Sequence, residues 1–270
     1  MIKTNWHTHT TRCGHAVGTD EEYVKAAIKA GLHTLGFSDH APYREPFPPE
    51  RMNFEQLEEY KASVLSLREK YREQIDIHLG MEVECYQSEW EDLATYRKDM
   101  EYCILGQHQI VLNGKSSYDL RNGDELKQYV DQIEYACYHG LCDYIAHPDV
   151  CMWIYPRIID DGVRTAAARI AEISAKYDVP LEINCGSGVR TGLSQYEDCV
   201  RYPYPVRIFF EEAAAHGCRA VLGLDIHDPK LFFTDEYINR ALSVVEGLDL
   251  NIVYDLDLVT EAEKRKKLFF

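Results

Sequence analysis

Short apolar runs rich in strand-forming residues recur along this chain, and six of seven end on a histidine or a carboxylate. The candidate strands are Thr4–His9, Thr34–Ser38, Asp76–Glu82, Tyr102–His108, Asp143–His147, Val179–Asn184 and Ala220–Asp225. The first closes on His7-Thr8-His9, the second runs into Asp39-His40, and the third ends at Glu82. The fourth and fifth end at His108 and His147, and the seventh runs into Asp225-Ile226-His227. Between them lie segments with helical spacing, among them Asp20–Ala30, Phe54–Tyr71, Glu125–Tyr138, Gly162–Lys176 and Pro205–His216. Strands alternating with helices predict a parallel α/β fold. In a parallel barrel the C-terminal strand ends all open on one face, so residues scattered from His7 to His227 are expected to converge.

Imidazoles and carboxylates are the usual ligands of Zn, Mn and Fe. His7/His9 and Asp225/His227 are i, i+2 pairs, which strand alternation places on one side. The set holds more ligands than one ion can take, which predicts a cluster of two or three metals. The remaining histidines act as a control. His33, His139 and His216 stand beside glycines at expected helix ends, where a structural role suffices. His78 lies a full strand-length below Glu82 and is expected in the barrel interior. Seven of the eleven histidines then belong to the site, the seventh being His15 in the loop Arg12-Cys13-Gly14-His15.

Composition narrows the partners. At 270 residues, 46% hydrophobic and 27% charged, the chain has ordinary globular content, and no Pro/Ser-rich linker or repeat divides it. One barrel domain spanning residues 1–270 is expected. A formal net charge of −16 opposes long polyanions and anionic membranes, so no nucleic acid and no membrane partner is expected. The nine cysteines are odd in number and show no Cys-x-x-Cys pair, and no apolar leader precedes them. Reduced thiols in the cytoplasm are the expectation. Thr19-Asp20-Glu21-Glu22 reads as a helix start, and Gly31, Gly140 and Gly217 as helix stops. Four prolines between Ala41 and Glu50 predict a stiff loop, either a substrate lid or a surface connector. Leu250–Leu258 reads as a last strand or an edge extension.

The ordered set His7-x-His9, His15, Ser38-Asp39-His40, Gly80-Met81-Glu82, Gly106-Gln107-His108, His147-Pro148-Asp149 and Asp225-Ile226-His227 resembles the polymerase and histidinol phosphatase superfamily. Within it the chain is similar to the monofunctional histidinol-phosphate phosphatases, through Ser38-Asp39-His40-Ala41-Pro42, Glu182-Ile183-Asn184 and Tyr202-Pro203. The resemblance implies a distorted (β/α)7 TIM-like barrel with a trinuclear site. One metal would be held by His7, His9, Glu82 and Asp225. A second would take Glu82 as a bridge with His108 and His147, and a third His15, His40 and His227. Glu84 shares parity with Glu82, so the bridging role rests on the family's Gly-x-Glu spacing. Leu224-Asp225-Ile226-His227 departs from the family's Ser-Asp-Ala-His, which bears on pocket shape.

The resemblance implies hydrolysis of L-histidinol phosphate by a metal-activated hydroxide, with three divalent ions (Zn, Mn or Fe) as cofactors and a small phosphorylated substrate. A phosphate also asks for planar cationic forks. Arg157, after the fifth strand, and Arg190, after the sixth, are the candidates for substrate binding and catalysis. Asp39 is the remaining catalytic candidate, read as orienting an imidazole. The alternatives are a phosphoesterase of the same superfamily acting on another small ester or a nucleotide, and a non-catalytic metal-binding barrel. A third, a metal-dependent amidohydrolase, lacks its usual lysine bridge.

Overall fold

The structure, a computed structural model, describes residues 2–44, 50–157 and 160–269. Ten strands and nine helices are found among them. They run β1 (Thr4–Asn5), α1 (Asp20–Ala30), β2 (Thr34–Phe37), α2 (Leu57–Tyr71), β3 (Asp76–Val83), α3 (Trp90–Asp99) and β4 (Tyr102–Leu105). Then come α4 (Gly123–Tyr138), β5 (Tyr144–Ile145), α5 (Asp161–Tyr177), β6 (Leu181–Asn184), α6 (Ser187–Thr191), β7 (Ser194–Gln195) and β8 (Val200–Arg201). The chain ends with α7 (Arg207–Ala215), β9 (Arg219–Gly223), α8 (Glu236–Val245), β10 (Asn251–Ile252) and α9 (Leu258–Phe269).

Eight strands form one parallel sheet in the order β1-β2-β3-β4-β5-β6-β9-β10, while β7 and β8 make a separate antiparallel pair. The sheet curls until its ends meet. At the mouth, Thr8 bridges Ile226 in parallel, with His9 N–H donating to the Ile226 carbonyl at 3.0 Å. At the opposite end β10 wedges between β9 and the start of the chain. Thr4 Oγ1 donates to the Tyr254 carbonyl and Trp6 Nε1 to the Leu256 carbonyl. This settles Leu250–Leu258 as a short strand followed by the start of a helix. Seven strands bound the mouth, and the eighth seals the floor. No described helix is long and apolar enough to cross a membrane.

Apolar side chains fill the lower barrel. Trp6, Tyr102, Ile104, Tyr144 and Val221 form one buried cluster, closed below by Leu256, Leu258 and Ala262. Each such side chain contributes on the order of 1.5–3 kcal/mol when fully buried. His78 packs its ring 5.2 Å from Trp6 in this lower layer, as its parity predicts. Outside the barrel, α1 starts with a complete capping box from Thr19 and Glu22, and Gly31, Gly140 and Gly217 take left-handed φ values after α1, α4 and α7.

Most observed strands are shorter than their sequence patterns, the exception being β3, which runs one residue further, to Val83. Thr4–His9 yields a ladder only over Thr4–Asn5, and Tyr102–His108 only over Tyr102–Leu105. Beyond these points the backbone leaves the ladder to aim the ligand-type side chains inward. Two of them take left-handed φ values, His147 at 28° and Asp225 at 49°. Such strained backbone persists where the surroundings over-determine it, typically at functional sites. The nine cysteines form no disulfide. Cys137 and Cys142 approach to 3.9 Å between sulfurs without a bond. Half of the proposed lid or connector over Ala41–Glu50, residues 45–49, lies outside the described residues. Its first part is core: Ala41 and Tyr43 are buried, and the Tyr43 hydroxyl donates to the Glu84 carbonyl at 2.7 Å.

Candidate metal centre

Parallel register lifts the even-numbered residues of β3 up the barrel axis, from His78 through Gly80 to Glu82, and Glu82 lands at the centre of the mouth. Its carboxylate is buried and ringed by five imidazoles. His147 Nε2 lies 3.0 Å from Oε1, with His7 Nε2 at 3.6 Å and His108 Nε2 at 3.7 Å. On the other oxygen, His40 Nδ1 lies at 2.9 Å and His9 Nε2 at 3.5 Å. Asp225 joins from β9, 3.3 Å from His9 Nε2 and 3.3 Å from His227 Nδ1. His15 completes the group from its loop, its ring 4.6 Å from that of His227 and 5.5 Å from that of His40. The seven site histidines, Glu82 and Asp225 therefore meet at one place. His33, His139 and His216 do not enter it.

Backbone economy makes the room. A Cβ on Gly106 of the neighbouring strand would stand 1.8 Å from Glu82 Oε1, and one on Gly223 would stand 1.6 Å from Glu182 Oε1. Only glycine lets these carboxylates lie flat against the adjacent strands.

Glu182 went unassigned in the strand-end reading, and it is the strongest organiser of the site. Its Oε1 accepts from His7 Nδ1 at 2.8 Å and from the Tyr144 hydroxyl at 3.2 Å. Its Oε2 accepts from the His147 backbone N–H and from Asn184 Nδ2, both at 2.8 Å. This fixes the His7 ring with Nε2 toward Glu82. Asp39 faces His9 with its Oδ1 3.6 Å from Nδ1, a charge contact beyond hydrogen-bond distance, while it accepts from the Thr10 hydroxyl and from His40 N–H. Asp39 therefore lies beside the His9 imidazole without a hydrogen bond to it. Glu84, the alternative bridge, turns away from the centre. It pairs with Arg51, accepts from the Tyr86 hydroxyl, and lies 3.5 Å from His108 Nδ1.

The two loop arginines differ. Both Nη atoms of Arg190 donate to the Asp225 carbonyl at 3.2 Å, so this side chain braces the turn that carries Asp225. Arg157 is drawn elsewhere. Its side chain is 60% exposed and its Nε donates to Glu197 at 3.0 Å, and none of its contacts reaches the cluster. A third arginine, which the sequence did not single out, lies nearer. Arg51 lines a cavity of about 120 Å3 together with His15, His40, His108, Glu50 and Tyr118.

The charges favour bound cations. Burial raises Glu82 and Asp225, but His40, His7 and His108 around Glu82, and His7 and His227 beside Asp225, outweigh it and hold both well below the usual carboxylate range. Burial opposes charge on His9 as well, yet Asp225, Asp39 and Glu82 lift it to about 9. Several buried polar atoms have no hydrogen-bond partner: His7 Nε2, both nitrogens of His9, Glu82 Oε2, His108 Nδ1, His147 Nδ1 and His227 Nε2. Orphaned buried imidazole nitrogens are costly unless something coordinates them. Ligand atoms of His7, His9 and Glu82, of His40, Glu82 and His108, and of His15, His40 and His227 each lie within 4.8 Å of one another. This nitrogen and oxygen donor set fits divalent Zn, Mn or Fe. His40 belongs to two of these groups, and His147 Nε2 lies 3.0 Å from Glu82 Oε1.

Comparisons with known proteins agree with this architecture. The PHP domain model matches residues 5–186, about two thirds of the chain. A probable histidinol-phosphatase of Deinococcus radiodurans is 30% identical over 83% of this chain and 85% of its own length. A histidinol-phosphatase of Bacillus subtilis is 34% identical over 46% of this chain and 50% of its own. Among solved structures, a histidinol phosphate phosphatase of Lactococcus lactis, in complex with zinc, L-histidinol and phosphate, superposes with a TM-score of 0.70. That match covers 93% of this chain and 95% of the other at 17% identity, which establishes the shared fold. By the matched model and by the Deinococcus relative, the chain belongs to the PHP domain family.

Proposed function

We propose that the chain hydrolyses L-histidinol phosphate to L-histidinol and inorganic phosphate at a cluster of three divalent ions. The observation that carries this reading is the meeting of seven histidines with Glu82 and Asp225, five of the histidines holding a buried ring nitrogen without a hydrogen-bond partner. Relatives named histidinol-phosphatases support the substrate. So does the Lactococcus lactis protein with bound zinc, histidinol and phosphate.

His7, His9, Glu82 and Asp225 would hold one ion. Glu82, His108 and His147 would hold the second, and His15, His40 and His227 the third. Bound ions supply Lewis acidity toward phosphate oxygens and make an associated water acidic enough to react near neutral pH. The protein's own part is orientation and charge. Glu182 fixes the His7 ring, Asp39 sets a negative charge beside His9, and Arg190 braces the turn bearing Asp225. The net charge of −16 suits the amine of the substrate, while a small phosphate monoester reaches a locally cationic site. Zn, Mn and Fe all match the donors. A cytoplasmic setting matches the unpaired cysteines, and neither a nucleic acid nor a membrane is part of the proposal.

Phosphate release tests this directly. The metal-loaded protein is expected to hydrolyse L-histidinol phosphate faster than a panel of nucleotides and sugar phosphates, and to stop in excess chelator. Equal or faster turnover of nucleotides would replace the substrate. Full activity in chelator would remove the metals.

A further inference from the structure

The turn that follows β1 brings a thiol to the metal centre as well as a histidine. Thr10 opens it, donating its hydroxyl to Asp39 and accepting from Arg12, whose guanidinium is forked onto Asp20 and onto Glu59. Cys13 N–H closes the turn on the Thr10 carbonyl at 3.1 Å. Gly14 then takes a left-handed φ of 81°, which reverses the chain before His15. Held between these anchors, Cys13 is fully buried.

Several groups of donor atoms approach within 4.8 Å of one another among the described residues, and one of them contains a cysteine: His9, Cys13 and His227. Both histidines also belong to the three-ion centre, yet His9 has a second nitrogen that this centre does not use. Its side chain is 1% exposed, and neither ring nitrogen has a hydrogen-bond partner. Once one nitrogen binds an ion beside Glu82 and Asp225, the other is still buried and orphaned, which is costly unless something coordinates it. His227 offers Nε2, also buried without a partner, while its Nδ1 lies 3.1 Å from the Asp225 carbonyl. The two rings stack with their centres 4.0 Å apart.

Sulfur changes which ion such a group prefers. His15, His40 and His227, the set for the third ion, are imidazoles without an anion among them. Cys13 coordinates as a thiolate, so it adds a negative charge and a soft donor together. A hard ion such as Mn gains little from sulfur, whereas a thiophilic ion gains most.

We infer that His9, Cys13 and His227 form a sulfur-containing metal position that overlaps the centre and takes a thiophilic divalent ion of the cadmium type. Binding replaces the Cys13 Sγ–H bond by an Sγ–metal bond, and the proton passes to solvent. The ion enters in place of the third one, because His227 serves both positions through the same Nε2. The position itself is independent of the phosphatase reading. Its consequence, arrest of phosphate release, rests on that reading.

The experiment uses the manganese-loaded full chain with cadmium as the probe. An equimolar addition is expected to displace one manganese per chain and to bring up the ultraviolet absorption of a cadmium thiolate. X-ray absorption at the cadmium edge should show a sulfur neighbour beside nitrogen. In Cys13→Ser the ultraviolet absorption should be absent, with manganese content before the addition unchanged. That variant should hold cadmium roughly a hundredfold or more weakly, since loss of a partner that only orients a ligand already costs about 10- to 100-fold. Cys137→Ser alters the buried thiol pair Cys137 and Cys142, and should leave the absorption intact. Cadmium without a sulfur neighbour in the wild-type protein would overturn the inference, and this result needs no variant to fold. Absorption that persists in Cys13→Ser, or disappears in Cys137→Ser, would overturn it equally. Cadmium should also stop hydrolysis of L-histidinol phosphate by the wild-type protein at concentrations that leave Cys13→Ser turning over; equal sensitivity would remove the inhibitory role. If the manganese-loaded protein hydrolyses no phosphomonoester, the phosphatase reading fails, while the two spectra still decide the sulfur position.

Discussion

Replacing Glu182 by glutamine tests whether the site is built by orientation as well as by ligands. The carboxylate takes His7 Nδ1 and the Tyr144 hydroxyl on one oxygen, and the His147 N–H and Asn184 Nδ2 on the other. It accepts from four donors and donates to none. An amide must turn its NH2 toward one side, and either choice sets a donor against a donor. If it faces His7, the ring loses the bond that fixes its tautomer; if it faces His147, the strained backbone at φ 28° loses its clamp. One buried unsatisfied donor costs about 1–3 kcal/mol. Loss of an orienting carboxylate typically lowers metal affinity 10- to 100-fold, about 1.4–2.7 kcal/mol at ~1.36 kcal/mol per decade. Glu182→Gln should therefore release metal at 10- to 100-fold lower chelator concentration while keeping the fold. Chelator competition followed by metal analysis measures the first, and urea unfolding of the metal-free protein measures the second. Metal affinity within twofold of wild type would refute the orienting role.

Other perturbations follow from the same geometry. Gly106→Ala should displace Glu82 and lower metal occupancy with little change in overall secondary structure, because the new Cβ would lie 1.8 Å from Oε1; full occupancy in metal analysis would contradict this. Arg97→Met should cost about 3–5 kcal/mol in urea unfolding, since it takes from Asp143 its bidentate partner, whose two bonds measure 2.7 Å with both side chains fully buried, and leaves it the Cys103 N–H and the more distant Arg265. A loss below about 1 kcal/mol would show the pair to be dispensable. For pH, burial raises Glu101, but His78, the Leu79 N–H and Arg68 outweigh it and hold its pKa below 4.5. The stability it adds, about 1 kcal/mol after allowance for partial exposure, is complete above the unfolded value of 4.5 and lost as pH falls through the lowered folded value. The gap in urea midpoint between wild type and Glu101→Gln should narrow below about pH 4.5; a gap constant down to pH 2 would contradict the sign.

The mouth of the barrel was legible because its residues are of the wrong kind for their positions. Polar ligand types at the ends of otherwise apolar strands have few structural reasons to be there, and parallel topology alone brings them together. Strand lengths were not legible. His7–His9 alternate like a strand, yet their backbone pairs with Ile226 across the closure of the barrel, a contact over two hundred residues away in sequence. Glu182 carried a signal that was passed over, since an acid inside a buried strand requires donors nearby. Arg51 carried none: it follows a proline-rich stretch of sequence, and nothing in that neighbourhood indicates that it will pair with Glu84. Arg157 shows the reverse, because its partner, Glu197, comes from the turn of the β7–β8 hairpin forty residues on. Topology could be read from pattern, whereas the pairing of long side chains depends on which opposite charge lies closest in space.

Anomalous diffraction from crystals grown with zinc and inorganic phosphate tests the convergence of these nine residues most directly. Three peaks are expected: one among His7, His9, Glu82 and Asp225, one among Glu82, His108 and His147, and one among His15, His40 and His227, with phosphate beside them. A single peak, or peaks outside these residues, would contradict a three-ion centre built from the strand ends.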